Sequence, residues 1–134
     1  MIKQYKNNIY PLIFFILLIL ALYLVAVSRT ICDDLDGIKR YGVLFLKGSH
    51  TPYTGKSLCI WDINEVVWYQ GNYRDGLKEG LWTFYNIDST KRSEINYREG
   101  KMNGVRKIYS TNNKIMTQMY CEEDSCKTIN QAID

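Results

Sequence analysis

The side chains in this chain that could do chemistry are few and scattered. There is one histidine, His50, and there are four cysteines, Cys32, Cys59, Cys121 and Cys126. Catalysis needs a base, a nucleophile or a ligand cluster gathered in one cleft. No HExxH, GxSxG or Cys/His cluster is present to supply it. His50 stands apart from the cysteines, which lack the ligand spacing of a zinc site, and it reads as a loop residue. Asp34-Leu-Asp36-Gly37 has the opening of a calcium loop without its downstream oxygen ligands or closing Glu, and reads as a solvated spacer. Glu79, Glu94 and Glu99 read as turn and solvent-face charges. The expectation is a non-enzyme with no catalytic residue, no metal and no cofactor.

What remains is recognition chemistry. Trp68, Trp82 and Arg106 belong to types enriched at binding hot spots, and they form the candidate interaction surface. The competing reading is that aromatic residues merely cover the faces of a thin sheet.

The 134 residues carry seventeen Lys+Arg and fourteen Asp+Glu. Setting aside Lys3 and Lys6, which precede an apolar block, leaves fifteen against fourteen, a balance of +1. That is no footprint for nucleic acid. The block itself, PLIFFILLILALYLVAV at 11–27, contains no charge. Taken from Ile9 to Val27, its nineteen residues would rise about 28 Å as a helix, close to a bilayer's hydrocarbon thickness. Tyr10 and Tyr23 lie near its ends, where aromatic rings suit the interface. Basic residues before the block and Asp33, Asp34 and Asp36 after it place the N-terminus in the cytoplasm and the remainder outside. Ala26-Val27-Ser28 keeps a cleaved signal peptide, and hence a secreted or periplasmic product, as the alternative, although the apolar stretch exceeds the usual length for one. Export permits disulfides. Cys121 and Cys126 close a short loop and are the favoured pair, with Cys32 and Cys59 as the complement.

The elements that must position these residues repeat. Tyr73, Gly76, Gly80 and Tyr85 recur 24 residues later as Tyr97, Gly100, Gly104 and Tyr109. A fixed period of this size marks a repeat architecture. Apolar runs alternate with turn signals from 41–47 (YGVLFLK) to 115–120, two strands per repeat, which predicts an antiparallel meander. Gly76 and Gly100 follow acidic residues in tight turns. Gly80 and Gly104 are expected to admit a close neighbour, and Tyr73/Tyr97 and Tyr85/Tyr109 to stack between repeats. Pairwise comparison retains Leu81/Val105 and Tyr85/Tyr109 but exchanges Trp82 for Arg106, which predicts the first set inward and the Trp82 side at least partly exposed, although the Phe84/Ile108 match on that side argues for a second covered face. Projecting the period forward puts Asp124 and Thr128 where glycines should stand, so the array is expected to end there.

The frame Tyr73…Gly76…Gly80…Trp82…Tyr85 resembles the bacterial MORN-repeat variant. Its second copy, Tyr97…Gly100…Gly104…Tyr109, has Arg106 in place of the family's tryptophan, and Tyr53-Thr-Gly55 is similar to a degenerate opening copy. The resemblance covers roughly residues 41–120. It implies one elongated antiparallel sheet of hairpin repeats, as in antitoxin-like proteins of the YwqK type, and so a protein partner that could be a toxin. An exported copy fits immunity at the envelope or a scaffold better than neutralisation in the cytoplasm.

The resulting expectation is a mainly β chain. A cytoplasmic 1–8 leads to a transmembrane helix or signal anchor at 9–28 and a juxtamembrane linker at 29–40. A repeat domain follows at 41–120, then a cap and tail at 121–134. It is a membrane-anchored sheet presenting a surface to a protein, with lipid or envelope contact also open. Self-association is expected at the edge strands 41–47 or 115–120.

Overall fold

The computed structural model describes residues 10–27 and 29–131. The expected cytoplasmic segment 1–8 lies outside them, as do Ser28 and residues 132–134. Helix α1 (Tyr10–Val27) comes first. Next come β1 (Thr30–Ile31), the short α2 (Asp33–Asp36), β2 (Gly37–Arg40) and β3 (Val43–Leu46). Seven longer strands follow: β4 (Gly55–Ile60), β5 (Val67–Arg74), β6 (Leu77–Tyr85), β7 (Lys91–Arg98), β8 (Lys101–Tyr109), β9 (Ile115–Glu122) and β10 (Ser125–Gln131).

The mainly β expectation and the meander are borne out. One eight-stranded sheet runs β1-β4-β5-β6-β7-β8-β9-β10, with β1 parallel to β4 and the other pairs antiparallel. Strands β2 and β3 form a separate hairpin.

Two kinds of turn keep the repeat in step. At one end, Asp75-Gly76, Glu99-Gly100 and Glu123-Asp124 all have positive φ, between 47° and 82°. This is the φ pair of a two-residue type I′ hairpin, whose twist matches that of the strands. At the other end, the side chains of Asn64, Asp88 and Asn112 each accept a bond from the backbone N–H two residues on. Glu65, Ser89 and Asn113 then take positive φ. These Asx turns also stand one repeat apart.

The array therefore does not stop at Tyr120. Asp124 replaces glycine at φ 69°, a conformation its short polar side chain tolerates. That side chain also accepts the Met102 N–H at 2.7 Å. The boundary expected at 121 is not a structural one, because β9 and β10 form a third hairpin closed by the Cys121–Cys126 disulfide. Nor is 115–120 an edge, since β9 is paired on both sides. The sheet's edges are β10 on one side and the two-residue β1, beside β4, on the other. Strand β3 is flanked by β2 and bridged to Pro52.

The span 29–40 is not a linker. It supplies β1, α2 and β2, tied to the sheet by the Cys32–Cys59 disulfide. Together with β3 it forms a second layer over the first strands, where Ile31, Leu44, Tyr53, Cys59, Tyr69, Tyr73 and Trp82 make one buried cluster.

Among the described residues no helix is long and apolar enough to cross a membrane. Helix α1 has 18 residues and rises about 27 Å, a few ångströms short of a typical hydrocarbon core. The expected transmembrane helix counted Ile9, which lies outside the described residues. Side chains Tyr10–Tyr23 are all exposed.

Candidate recognition surface

One face of the sheet carries Tyr69, Tyr73, Lys78, Trp82 and Phe84 from the first repeat. The same face carries Ser93, Tyr97, Met102, Arg106 and Ile108 from the second. Bulges add a further residue per repeat. The register slips between Cys59 and Ile60 opposite Trp68, between Phe84 and Tyr85 opposite Arg92, and between Ile108 and Tyr109 opposite Met116. A bulge re-aims the extra side chain. Trp68 accordingly packs against Tyr69, with ring centroids 4.9 Å apart, and the Arg92 guanidinium lies 5.8 Å from the Phe84 ring. Trp68, Arg92 and Met116 again stand one repeat apart.

Trp82 is the centre of the core and not part of a surface. It is fully buried, and its indole lies flat on Gly71, where an added Cβ would come within 2.2 Å of the ring. Its Nε1 donates to the Asn72 carbonyl at 3.1 Å. Tyr73 and Tyr97 flank it at 5.1 and 6.2 Å, so the indole stands between the two tyrosines expected to stack on each other. Leu81, expected inward, is 49% exposed. The inward face was misassigned because residues 30–53, which cover the Trp82 side, look like a spacer in sequence. The close-approach glycine is also a different one: Gly80 has open space around its Cβ position and φ +72° at a bulge, while Gly71 receives the aromatic ring.

The cover is fastened by Asp33. Its buried carboxylate accepts bonds from Ser57 Oγ at 2.6 Å and Tyr73 OH at 2.8 Å, with Lys39 Nζ 3.6 Å away. Burial alone would raise the Asp33 pKa. The Ser57 and Tyr73 hydrogen bonds and the Lys39 charge outweigh it and hold the pKa below the ordinary carboxylate value. Burial, followed by the bond to Asp33, pushes Tyr73 up. Lys78 Nζ sits over the rings of Trp82 and Tyr97 at 4.2 and 5.2 Å, and burial lowers its pKa. These groups tie the N-terminal layer to β4 and β5.

On the other face, Tyr109 OH donates to Glu94, which also pairs with Lys91. Burial and then Glu94 raise the Tyr109 pKa to about 12. Gln70 makes the equivalent contact to Tyr85 one repeat earlier. Tyr85 and Tyr109 are thus both held by polar partners at equivalent positions. Among the described residues no group of three His, Cys, Asp or Glu side chains could hold a metal ion.

Of the three candidate residues, Trp82 is core, Trp68 is half-buried against that core, and Arg106 stands on the same face beyond the cover. Arg106 lines a cleft of about 260 Å³ with Phe84, Arg92, Ser93, Ile95 and Ile108. Its Nε is buried with no hydrogen-bond partner. Sequence reasoning missed Arg92. The signal was available, since Trp68 and Trp82 are each replaced by arginine one repeat later.

Fold and surface together define a class: one sheet whose 24-residue hairpin repeats are antiparallel, covered at one end by its own N-terminal layer. Compared with known proteins, the chain matches no family model, no curated protein and no solved structure.

Proposed function

We propose that this chain is a non-enzymatic, membrane-anchored repeat protein of the MORN-variant type, which presents the open half of its sheet to a protein partner. The observation that carries this reading is the contrast along one face. Residues 30–53 close it over the first repeat, whereas the equivalent positions of the second repeat hold Arg92 and Arg106 beside a cleft. Arginine and aromatic groups at a cleft are the composition of binding hot spots.

Anchoring is supported by the uncharged 11–27 stretch and by the exposed side chains of Tyr10–Tyr23. Two disulfides fit an oxidising compartment outside the cytoplasm. Alkaline-carbonate washing with N-terminal sequencing of the mature chain separates anchor from cleaved signal. Retention in the membrane with an intact N-terminus is expected; a soluble chain starting at Arg29 would replace the anchor with secretion.

The recognition reading is tested by a photo-crosslinking residue placed at Ile108, on the open face, or at Val105, on the opposite one. In native cells position 108 is expected to give a discrete adduct and position 105 none. Adducts from both sites, or from neither, would sink the proposed surface.

A further inference from the structure

We infer that the cleft between β6, β7 and β8 is a carboxylate-binding subsite, built to take a Glu or Asp side chain of a partner protein next to an apolar residue. This rests on the recognition reading above and names the chemistry of its partner.

Two guanidiniums reach one cleft by different routes. Arg106 comes from the regular alternation of β8, opposite Ile95. Arg92 is turned onto the same face by the β7 bulge and lies over Phe84. Among the described residues neither is paired with a carboxylate. The cleft lining, Phe84, Arg92, Ser93, Ile95, Arg106 and Ile108, contains no acid. The Nε of Arg106 is itself buried without an acceptor, so a partner would meet the outer N–H groups of the guanidinium where it lines the cleft. A planar fork of N–H donors matches a carboxylate in two parallel bonds. Phe84, Ile95 and Ile108 supply apolar walls that strengthen such a pair by excluding water.

The same donors would accept a phosphate. A lipid headgroup is the weaker fit, because membrane-surface attraction relies on clustered basic residues. Here Lys91 pairs with Glu94, and Lys107 also acts on that carboxylate, on the opposite face. A protein carboxylate bounded by apolar residues uses the whole cleft.

The test uses the full-length chain in mild detergent and a dye-labelled, end-capped Leu-Glu-Leu-Glu-Leu peptide, with its Gln isostere as control. The Glu peptide is expected to bind at least tenfold more tightly than the isostere, with NMR shifts in the Nε–Hε signals of Arg92 and Arg106. Arg92→Gln/Arg106→Gln should erase that difference, while Arg98→Gln keeps it. If the Gln pair lowers the melting temperature, Arg92→Lys/Arg106→Lys serves instead: charge is kept, the bidentate geometry is lost, and a severalfold loss is expected. Equal binding of the two peptides would overturn the carboxylate assignment. So would a short-chain phosphatidylglycerol, soluble in the same detergent, that displaces the peptide from wild type but does not bind the double variant.

Ile108→Asp separates the two levels of the reading. If it abolishes peptide binding while the arginine variants do not, the surface stands and the carboxylate subsite falls. If no variant changes binding, both fall.

Discussion

The first and second repeats have the same backbone, but only the first lies beneath a second layer, although Ser93 and Ile95 are buried in the second as well. Both close on a type I′ turn, both carry an Asx turn at the far end, and both aim a bulge residue at the same face. In the first repeat that face holds Trp68, Tyr69, Gly71, Trp82 and Phe84 beneath the layer made by residues 30–53. In the second the corresponding residues are Arg92, Ser93, Ile95, Arg106 and Ile108. Where a cover exists the face is aromatic and closed. Where it ends, the tryptophans give way to arginines, and the glycine that made room for an indole gives way to isoleucine. Backbone regularity comes from the turns, and what each repeat does is decided by what lies above it.

Truncating Trp82 separates the repeats most sharply. Trp82→Ala removes a fully buried indole and should cost about 3–5 kcal/mol in urea unfolding. Arg106→Ala at the equivalent position should cost less than about 1 kcal/mol, the usual range for a partly exposed site. Equal losses would mean that the second repeat is closed as well.

The two disulfides give the next contrast. Cys32–Cys59 spans 27 residues and fastens the cover, while Cys121–Cys126 spans five. On loop entropy alone, replacing the first pair by serine should lower stability by about 3.5 kcal/mol and the second by about 2 kcal/mol. The first replacement should also expose Trp82 to acrylamide quenching.

Asp33→Asn weakens the same cover by removing the charge from two hydrogen bonds, a loss of about 2–3 kcal/mol at neutral pH. Because the folded pKa of Asp33 is depressed, its contribution is full above the unfolded value. It disappears as pH falls through the folded one. The gap between wild type and Asp33→Asn should therefore narrow below about pH 3.8. A gap unchanged at pH 2 would show that the carboxylate charge is not what holds the layer down.

The smallest effect comes from grafting one repeat's pair into the other. Arg106→Trp alone should clash with Ile95, and Ile95→Gly alone should weaken the strand. Together they recreate the Gly71/Trp82 arrangement, with a favourable coupling of about 1 kcal/mol in a double-mutant cycle. Simple additivity would contradict the equivalence of the two sites.

The repeat frame was legible in the sequence because glycine turns and tyrosines recur without insertion. The third copy was harder to see. Asp124 adopts the left-handed conformation usually left to glycine, and Asn64, Asp88 and Asn112 mark the far turns by side-chain bonding instead of by glycine. The inward face could not be read from the repeats alone. Trp82 exchanging for Arg106 looks like surface variation, whereas it records where the cover ends, and that cover comes from residues 30–53, whose polar sequence resembles a linker. The Arg92 half of the cleft depends on a bulge, which reverses the side that simple alternation assigns.

Residue-resolved amide hydrogen exchange on the full-length chain compares covered and open repeats most directly. The amides of Trp82 and Thr83 should exchange only through global unfolding, while those of Arg106 and Lys107, their equivalents one repeat on, open locally at lower free energy. Equal protection at the two sites, or stronger protection at Arg106, would contradict a closed first repeat beside an open second one.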